Sequence, residues 1–327
     1  MRQRIPELDY MRGIAMLFVI MGHVMLWGIQ KHSSCLMGLL ALVHLPVFFA
    51  VSGFLTYKDG DAPSIRGALA VLAKRSRLLL VPMVVWSVIY SIATNDITLT
   101  QSLIYRGRYW FFLGLWWCDV LNAQLMYLSR RYRFGLPADL ALYGAAFVLL
   151  VVCRKAGVEL GGWLPIQNVQ YYFPMFAMGL LIKKYECVRR VVFNPWTFAV
   201  ALFVFLIGWR LLYLENYYIF SCAAFGAVVV VWTACRALPG DAPLVRCLAL
   251  VGRNTLPIYA IHYLFIAPLP ASFLAMTNVP LPFFFEAVIT GIYAVVIVAF
   301  CLAANWVISM SPVTRCIFYG ETPRKKR

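Results

Sequence analysis

A chain of 327 residues that is 63% hydrophobic and 13% charged, with a mean hydropathy of +0.79, carries too many apolar side chains for a soluble globular protein. We therefore predict a polytopic protein embedded in the lipid bilayer. The net charge of +16 would suit a nucleic-acid-binding protein, but the basic residues cluster in short loops between apolar segments. That distribution is typical of membrane orientation signals and argues against nucleic acid as a partner.

About ten apolar segments of roughly twenty residues follow one another along the chain. They cover residues 12–30, 36–57, 78–95, 110–129, 137–153, 163–182, 194–213, 216–236, 251–270 and 284–310. The connecting sequences are too short for a soluble domain. We predict an all-α, polytopic transmembrane bundle of about ten helices that forms a single membrane-embedded domain over residues 1–327.

Basic residues are distributed unequally between the two sets of loops. If the N-terminus is cytoplasmic, the outer loops hold only Lys31, Arg106, Arg108, Arg154 and Lys155, and most other lysines and arginines fall inside. This asymmetry predicts that both termini are cytoplasmic. The first apolar segment carries a histidine and is followed by further segments, so it is predicted to be a span and not a signal peptide.

The first segment, DYMRGIAMLFVIMGH, places Arg12 and His23 eleven residues apart. Helix geometry puts them on one face, about 16 Å apart along the axis. Asp9, Ala15 and Val19 share that face, and the small side chains of the last two would leave room for a slender ligand arm. The alternative is an ordinary spanning helix with a cytoplasmic arginine and a packed histidine. Because an ionisable residue inside a membrane is costly, we favour a functional role.

Two further histidines lie in apolar segments. His44, about eight residues in from the outer end of the second segment, is predicted to lie at the depth of His23. His262 is predicted to lie nearer the cytoplasmic side of the ninth segment. Two histidines at one depth suggest acid–base chemistry, because imidazole is the usual general base near neutral pH. The cysteines show no metal-ligand spacing, and no metal site is predicted.

A basic cluster, Lys74, Arg75 and Arg77, precedes the third span in the stretch KRSRLLLVP. It is interpreted either as an orientation anchor or as an anion site, since arginine binds phosphate through two parallel hydrogen bonds. Pro82 is expected to kink the span and open a cavity. A group of aromatic residues is interpreted first as an interfacial belt and second as a sugar-stacking surface: Trp110, Trp116, Trp117, Tyr171 and Tyr172.

Several of these stretches together resemble a known family. DYMRGIAMLFVIMGH, HLPVFFAVSGFL, KRSRLLLVP, YYFPMFAMG and LVGRNTLPIYAIHYLF resemble, in order, motifs of the bacterial integral-membrane acyltransferase-3 family. The nearest subgroup is that of the short fucose O-acetylase-like sugar O-acetyltransferases. The resemblance implies an enzyme of the bacterial inner (plasma) membrane with about ten helices. It also implies that cytoplasmic acyl-CoA donates an acyl group to a hydroxyl of a cell-surface glycan or lipid-linked sugar.

The resemblance also implies residue roles. By motif match, Arg12 and His23 form the essential pair, and Lys74 and Arg77 match an RxxR element that contacts CoA, although the first position here is lysine. No permanently bound cofactor is implied, because acetyl-CoA or another acyl-CoA is a donor substrate.

From these observations we hypothesise an O-acyltransferase in which His23 is the general base, assisted by His44 and with Asp9 counted in the catalytic group. The donor is assigned to Arg12, Lys74, Arg75 and Arg77 for its phosphates, and to Ala15 and Val19 for its arm. The alternatives are a lipid-linked glycan flippase and a proton-coupled transporter of small solutes, which also use intramembrane ionisable residues. Formation of a homo-oligomer is left open.

Overall fold

The computed structural model describes residues 4–29, 34–58, 65–94, 107–158, 163–266 and 282–322. These residues form thirteen α-helices and no strand, which confirms the all-α prediction. The helices are α1 (Pro6–His23), α2 (Cys35–Thr56), α3 (Ile65–Thr94), α4 (Trp110–Arg131), α5 (Leu136–Lys155), α6 (Ile166–Lys184), α7 (Glu186–Val192), α8 (Pro195–Arg210), α9 (Tyr217–Ala237), α10 (Pro243–Arg253), α11 (Thr255–Ile261), α12 (Phe283–Ile308) and α13 (Pro312–Tyr319). Short π or 3₁₀ turns extend three of them, over Val24–Gly28, Leu212–Leu214 and His262–Phe265.

Every predicted span coincides with a helix or a helix pair. In the described part of the chain, six helices are long and apolar enough to cross a membrane: α1 with its π turn, α2, α3, α5, α9 and α12. Two bent pairs raise this number to eight if each is one span, α7–α8 with a bend of 62° and α10–α11 with a bend of 69°. The polytopic prediction is therefore confirmed, whereas α4 and α6, which coincide with predicted spans, are not among these helices, so the described residues support six to eight spans and not ten.

The ends of several helices follow from local sequence. The Asn194 side chain accepts a hydrogen bond from the Trp196 amide at 2.9 Å and starts α8, and Asn216 does the same for Tyr218 at 2.8 Å in α9. Pro6, like the proline at the start of α8, occupies the first helical turn, where the missing amide hydrogen costs nothing. These residues define where α1, α8 and α9 begin.

The chain divides into two compact units, and the predicted single domain over 1–327 stays a prediction. The first unit comprises residues 1–51 and 186–305, and the second comprises 52–185 and 306–327. Within the first unit, α1 packs closely on α10. A Cβ atom at Gly13 would overlap the backbone of Leu248, and one at Gly252 would overlap the carbonyl oxygen of Asp9. Small residues of this kind let membrane helices approach backbone to backbone.

Within the second unit, α3 packs on α4, α5 on α6, and α13 on α3. The indole Nε1 of Trp86 donates to the carbonyl of Phe318 at 3.0 Å and fastens α13 to α3. Asp139 is fully buried and is paired with Lys184, and its Oδ2 also accepts from the Tyr185 hydroxyl at 2.8 Å. A buried carboxylate needs such partners, because an unpaired one is very costly.

Two helix boundaries differ from the sequence prediction. α3 begins at Ile65, well before the predicted residue 78, because the intervening stretch is rich in Ala, Leu, Lys and Arg, which favour helix. The predicted ninth span, residues 251–270, is preceded by α10, and the chain bends by 69° after Arg253 before α11 begins; residues 267–270 lie outside the described residues. Asn254 leaves helical geometry there, and Pro257 lacks the amide hydrogen that an uninterrupted helix would use.

The orientation of the chain is testable by chemical labelling. In a cysteine-free background, a cysteine at position 34 is expected to react with a membrane-impermeant maleimide added to intact cells, and a cysteine at position 131 to react only after lysis. This expectation follows from the excess of lysine and arginine in the loops that are predicted to be cytoplasmic. Labelling of position 131 in intact cells would contradict the predicted topology.

Candidate active site

One buried carboxylate near the start of α1 gathers three arginines. Asp9 is only 1% exposed. Its Oδ2 lies 2.7 Å from Nε of Arg4 and 3.5 Å from Nε of Arg253, and its Oδ1 lies 2.7 Å from a terminal nitrogen of Arg12. We call Arg4, Arg12 and Arg253 the arginine cluster. Gly252 packs closely on the backbone of Asp9, and this contact brings Arg253 of α10 to the N-terminal end of α1.

The arginine cluster carries more positive charge than its carboxylate can neutralise. Three guanidinium groups around one carboxylate leave a formal excess of two positive charges. Their side chains are 60% exposed at Arg4, 52% at Arg253 and 28% at Arg12, so an anion can reach them. Arginine forks are well suited to phosphate, which would supply the missing negative charge.

At the other end of α1, two histidines form a hydrogen-bonded pair. Nδ1 of His23 lies 2.7 Å from Nε2 of His262, and Nδ1 of His262 lies 2.8 Å from the carbonyl oxygen of Tyr259. A carbonyl oxygen can only accept, so Nδ1 of neutral His262 carries a hydrogen and its Nε2 accepts. His23 therefore donates from Nδ1, and its own Nε2 carries the lone pair. This tautomer is inferred from the hydrogen-bond network, and it suits a general base.

Aromatic rings surround His23. The ring centroid of Trp27 lies 4.7 Å from that of His23, and the centroids of His262 and Tyr263 each lie 5.0 Å away. Trp27 belongs to the π-helical turn Val24–Gly28 that follows His23. Such turns are uncommon and occur frequently at functional sites.

The structure changes the predicted partner of His23. Nδ1 of His23 lies 2.7 Å from Nε2 of His262, whereas the predicted common depth of His23 and His44 stays a prediction. Nδ1 of His44 donates to the carbonyl of Leu40 in its own helix. His262 was predicted to lie nearer the cytoplasm, but its contact with His23 places the two rings at one level.

The predicted open trough along α1 is not present. Ala15 is 0% exposed and Val19 is 3% exposed, because neighbouring helices of the first unit cover this face. Arg12 and His23 at the two ends are each partly accessible, whereas the residues between them on that face are buried. The small side chains that suggested a path for a ligand arm instead allow tight helix packing.

The basic cluster of α3 divides into three different environments. Lys74 is exposed, whereas Arg77 contacts the C-terminal segment through Thr322 at 3.5 Å. Arg75 points into the second unit, where its Nε lies 3.2 Å from Oδ2 of buried Asp119. A cavity of about 160 Å³ lies here, lined by residues that include Thr56, Lys58, Arg75, Asp119, Tyr127 and Arg130.

The sequence analysis missed the contacts of Arg4 and Arg253 with Asp9 and the pairing of His262 with His23. A signal for two of them was present: Arg253 precedes His262 by nine residues, much as Arg12 precedes His23 by eleven. In the structure Arg12 and Arg253 both contact Asp9, and His23 is hydrogen-bonded to His262. The similar spacing would have indicated this pairing if the break at Asn254 had been anticipated.

Comparison with known proteins gives one match. A family model described as "Acyltransferase domain" (Acyl_transf_3) matches residues 5–309, nearly the whole chain. No curated protein and no solved structure matches significantly. The matched range includes both Arg–His pairs and the basic cluster of α3.

Proposed function

The chain belongs to the acyltransferase-3 family and is a membrane acyltransferase, and on that premise we propose that it transfers an acetyl or other short acyl group from acyl-CoA to a hydroxyl group of a glycan or lipid-linked sugar. The motifs of the fucose O-acetylase-like subgroup support a sugar acceptor, and the same subgroup supports a location in the bacterial inner membrane. Membership of an acyltransferase family disfavours the flippase and transporter hypotheses.

In the proposed reaction His23 is the general base. Its Nε2 takes the proton of the acceptor hydroxyl as the hydroxyl oxygen attacks the thioester carbonyl. The bond between carbonyl carbon and sulfur then breaks, and the leaving CoA thiolate takes the proton back from the imidazolium. The products are an ester and free CoA, and no covalent acyl-enzyme is required.

We assign His262 as a positioning residue. It accepts the Nδ1 hydrogen of His23 and so favours the tautomer with a basic Nε2. Backbone carbonyls of Ile258 and Tyr259 hold His262 in turn, at 3.2 and 2.8 Å from its Nδ1. This follows the general arrangement in which a base is oriented by a third group. His44, which bonds within its own helix, is given at most an indirect role.

The arginine cluster is proposed to bind phosphates of the donor. Arg12 lies eleven residues, or about 16 Å along the helix axis, from His23. The pantetheine arm of CoA is comparable in length, so a donor with its phosphates at the cluster is long enough to reach His23, by a path other than the buried face of α1 between them. Asp9, with both carboxylate oxygens engaged, is assigned to holding these arginines in place and not to the chemical step. Ala15 and Val19, which are buried, are not part of this proposal.

The basic cluster of α3 is proposed as a second anion site in the other unit. Of its three members, Arg75 is the one that lines the cavity, together with Lys58 and Arg130. The lining of this cavity sets the positive charges of Lys58, Arg75 and Arg130 against the one carboxylate of Asp119, an excess that suits an anion such as phosphate. Exposed Lys74 and Arg77 at the C-terminal segment are expected to contribute less.

The observation that carries the proposal is the hydrogen bond between His23 and His262 inside a chain of this family. The test uses purified protein in detergent, acetyl-CoA and glycan extracted from cells that lack the gene. We expect free CoA thiol to appear faster when glycan is present, and the glycan to gain the mass of one acetyl group. Absence of thiol release with acetyl-CoA and with longer acyl-CoA donors would contradict the proposal.

A further inference from the structure

The rings packed around His23 differ in their access to substrate. His262 is 0% exposed and Tyr263 is 5% exposed, so both form a buried backing to His23. Trp27 and His23 are each partly accessible, although Val24, Met25 and Gly28 beside them are buried. Among these three neighbouring rings, Trp27 is therefore the one that keeps accessible surface beside His23.

The position of Trp27 along α1 separates it from the donor. Trp27 lies four residues beyond His23, whereas Arg12 lies eleven residues before it. A donor whose phosphates occupy the arginine cluster approaches His23 from the Arg12 side. The attacking hydroxyl must then approach from another direction, and the accessible indole lies on the side of His23 away from the arginine cluster.

The indole of Trp27 selects a particular shape of acceptor. Its face is broad, flat and apolar, and its Nε1 hydrogen is a donor at the edge. A saturated sugar ring presents a face of C–H groups that can pack on such a surface while its hydroxyls project from the perimeter. An open-chain polyol has the same hydroxyl groups but no flat apolar face. A ring-shaped sugar can therefore make many weak contacts with the indole face at once, and an open-chain polyol cannot.

We infer that Trp27 is an acceptor-binding residue that packs against the ring of a sugar and presents one of its hydroxyls to Nε2 of His23. This inference rests on the proposed function, and it adds the ring-shaped acceptor and the residue that recognises it. Tyr263, whose centroid lies 5.5 Å from that of Trp27, supports the indole from the buried side.

The experiment compares transfer with hydrolysis in purified protein. Radiolabelled acetyl-CoA is supplied with water alone, with D-sorbitol, or with glycan from cells that lack the gene. The variants are Trp27→Leu, Trp27→Tyr and, as a matched control, Trp196→Leu, which removes an 81% exposed indole at the start of α8. Thermal melting of each variant reports on folding.

We expect Trp27→Leu to lower the ratio of glycan transfer to hydrolysis by about tenfold, through a higher acceptor KM. Trp27→Tyr should keep most of that ratio, Trp196→Leu should match wild type, and sorbitol should be a poor acceptor for every protein. An unchanged ratio in Trp27→Leu, equal losses of transfer and hydrolysis, or sorbitol accepted as well as glycan would each overturn the inference. A wild-type protein that neither hydrolyses nor transfers would instead overturn the proposed function, and the inference with it.

Discussion

Replacement of His23 by alanine is expected to lower acyl transfer by about a thousandfold, the usual contribution of a positioned general base. Binding of CoA, measured by protection against thermal unfolding, should be nearly intact, because the arginine cluster lies at the far end of α1. A loss of kcat without a loss of CoA binding separates chemistry from donor recognition. Full activity of a folded His23→Ala protein would remove His23 from the mechanism.

His262 gives a sharper form of the same test. His262→Ala removes the acceptor for Nδ1–H of His23 and is expected to lower kcat by about 10–100-fold, the range seen when the group that orients a functional histidine is lost. His262→Gln is the matched variant, because its side-chain oxygen can accept from His23 where Nε2 did. It should recover much of the lost rate.

Recovery by glutamine distinguishes an orienting role from simple packing. If His262 only fills space, Gln and Ala should differ by little in kcat and both should melt at lower temperature than wild type. If kcat is unaffected by either change, the histidine pair has no part in the reaction, and the tautomer argument fails with it.

Spacing within one helix correctly predicted where Arg12 and His23 lie relative to one another. The period of 3.6 residues per turn places Arg12 and His23 on one face, and the structure finds both partly accessible at the two ends of that face. The same reasoning failed for Ala15 and Val19, since a small side chain predicts close packing as readily as an open trough. A sequence does not tell which neighbour will cover a face.

Contacts between distant segments were not predictable, because they depend on where a helix breaks. The interruption at Asn254 separates α10 from α11, and the turn that follows α11 carries His262, which contacts His23. The same break leaves Arg253 beside Asp9.

The charge balance at Asp9 leads to a second large effect. Asp9→Asn removes the carboxylate that holds Arg4, Arg12 and Arg253 and leaves three like charges facing one another. Loss of one partner from a buried ion pair typically costs 3–5 kcal/mol, and we expect the lower end, about 3 kcal/mol, because the arginines reach solvent. The melting midpoint in detergent should fall by about 5–10 °C.

A matched control and a rescue make this prediction specific. Glu186→Gln removes a carboxylate that is also held by two arginines, Arg189 and Arg190, but is 49% exposed, so its melting midpoint should stay near that of wild type. Asp9→Asn combined with Arg253→Gln removes one of the opposing charges and should recover part of the lost stability.

The proposed binding of anions by the arginine cluster adds a measurement that a purely structural ion pair would not affect. In Asp9→Asn, inorganic phosphate or CoA replaces the missing negative charge, so either should raise the melting midpoint more than in wild type. This extra stabilisation should fall as sodium chloride is increased, because the arginines are partly exposed and salt screens them. If Asp9→Asn melts like wild type, the arginines are not held by Asp9. If the variant is unstable but phosphate and CoA give no extra protection, the cluster only ties α10 to α1, and the donor's phosphates bind elsewhere.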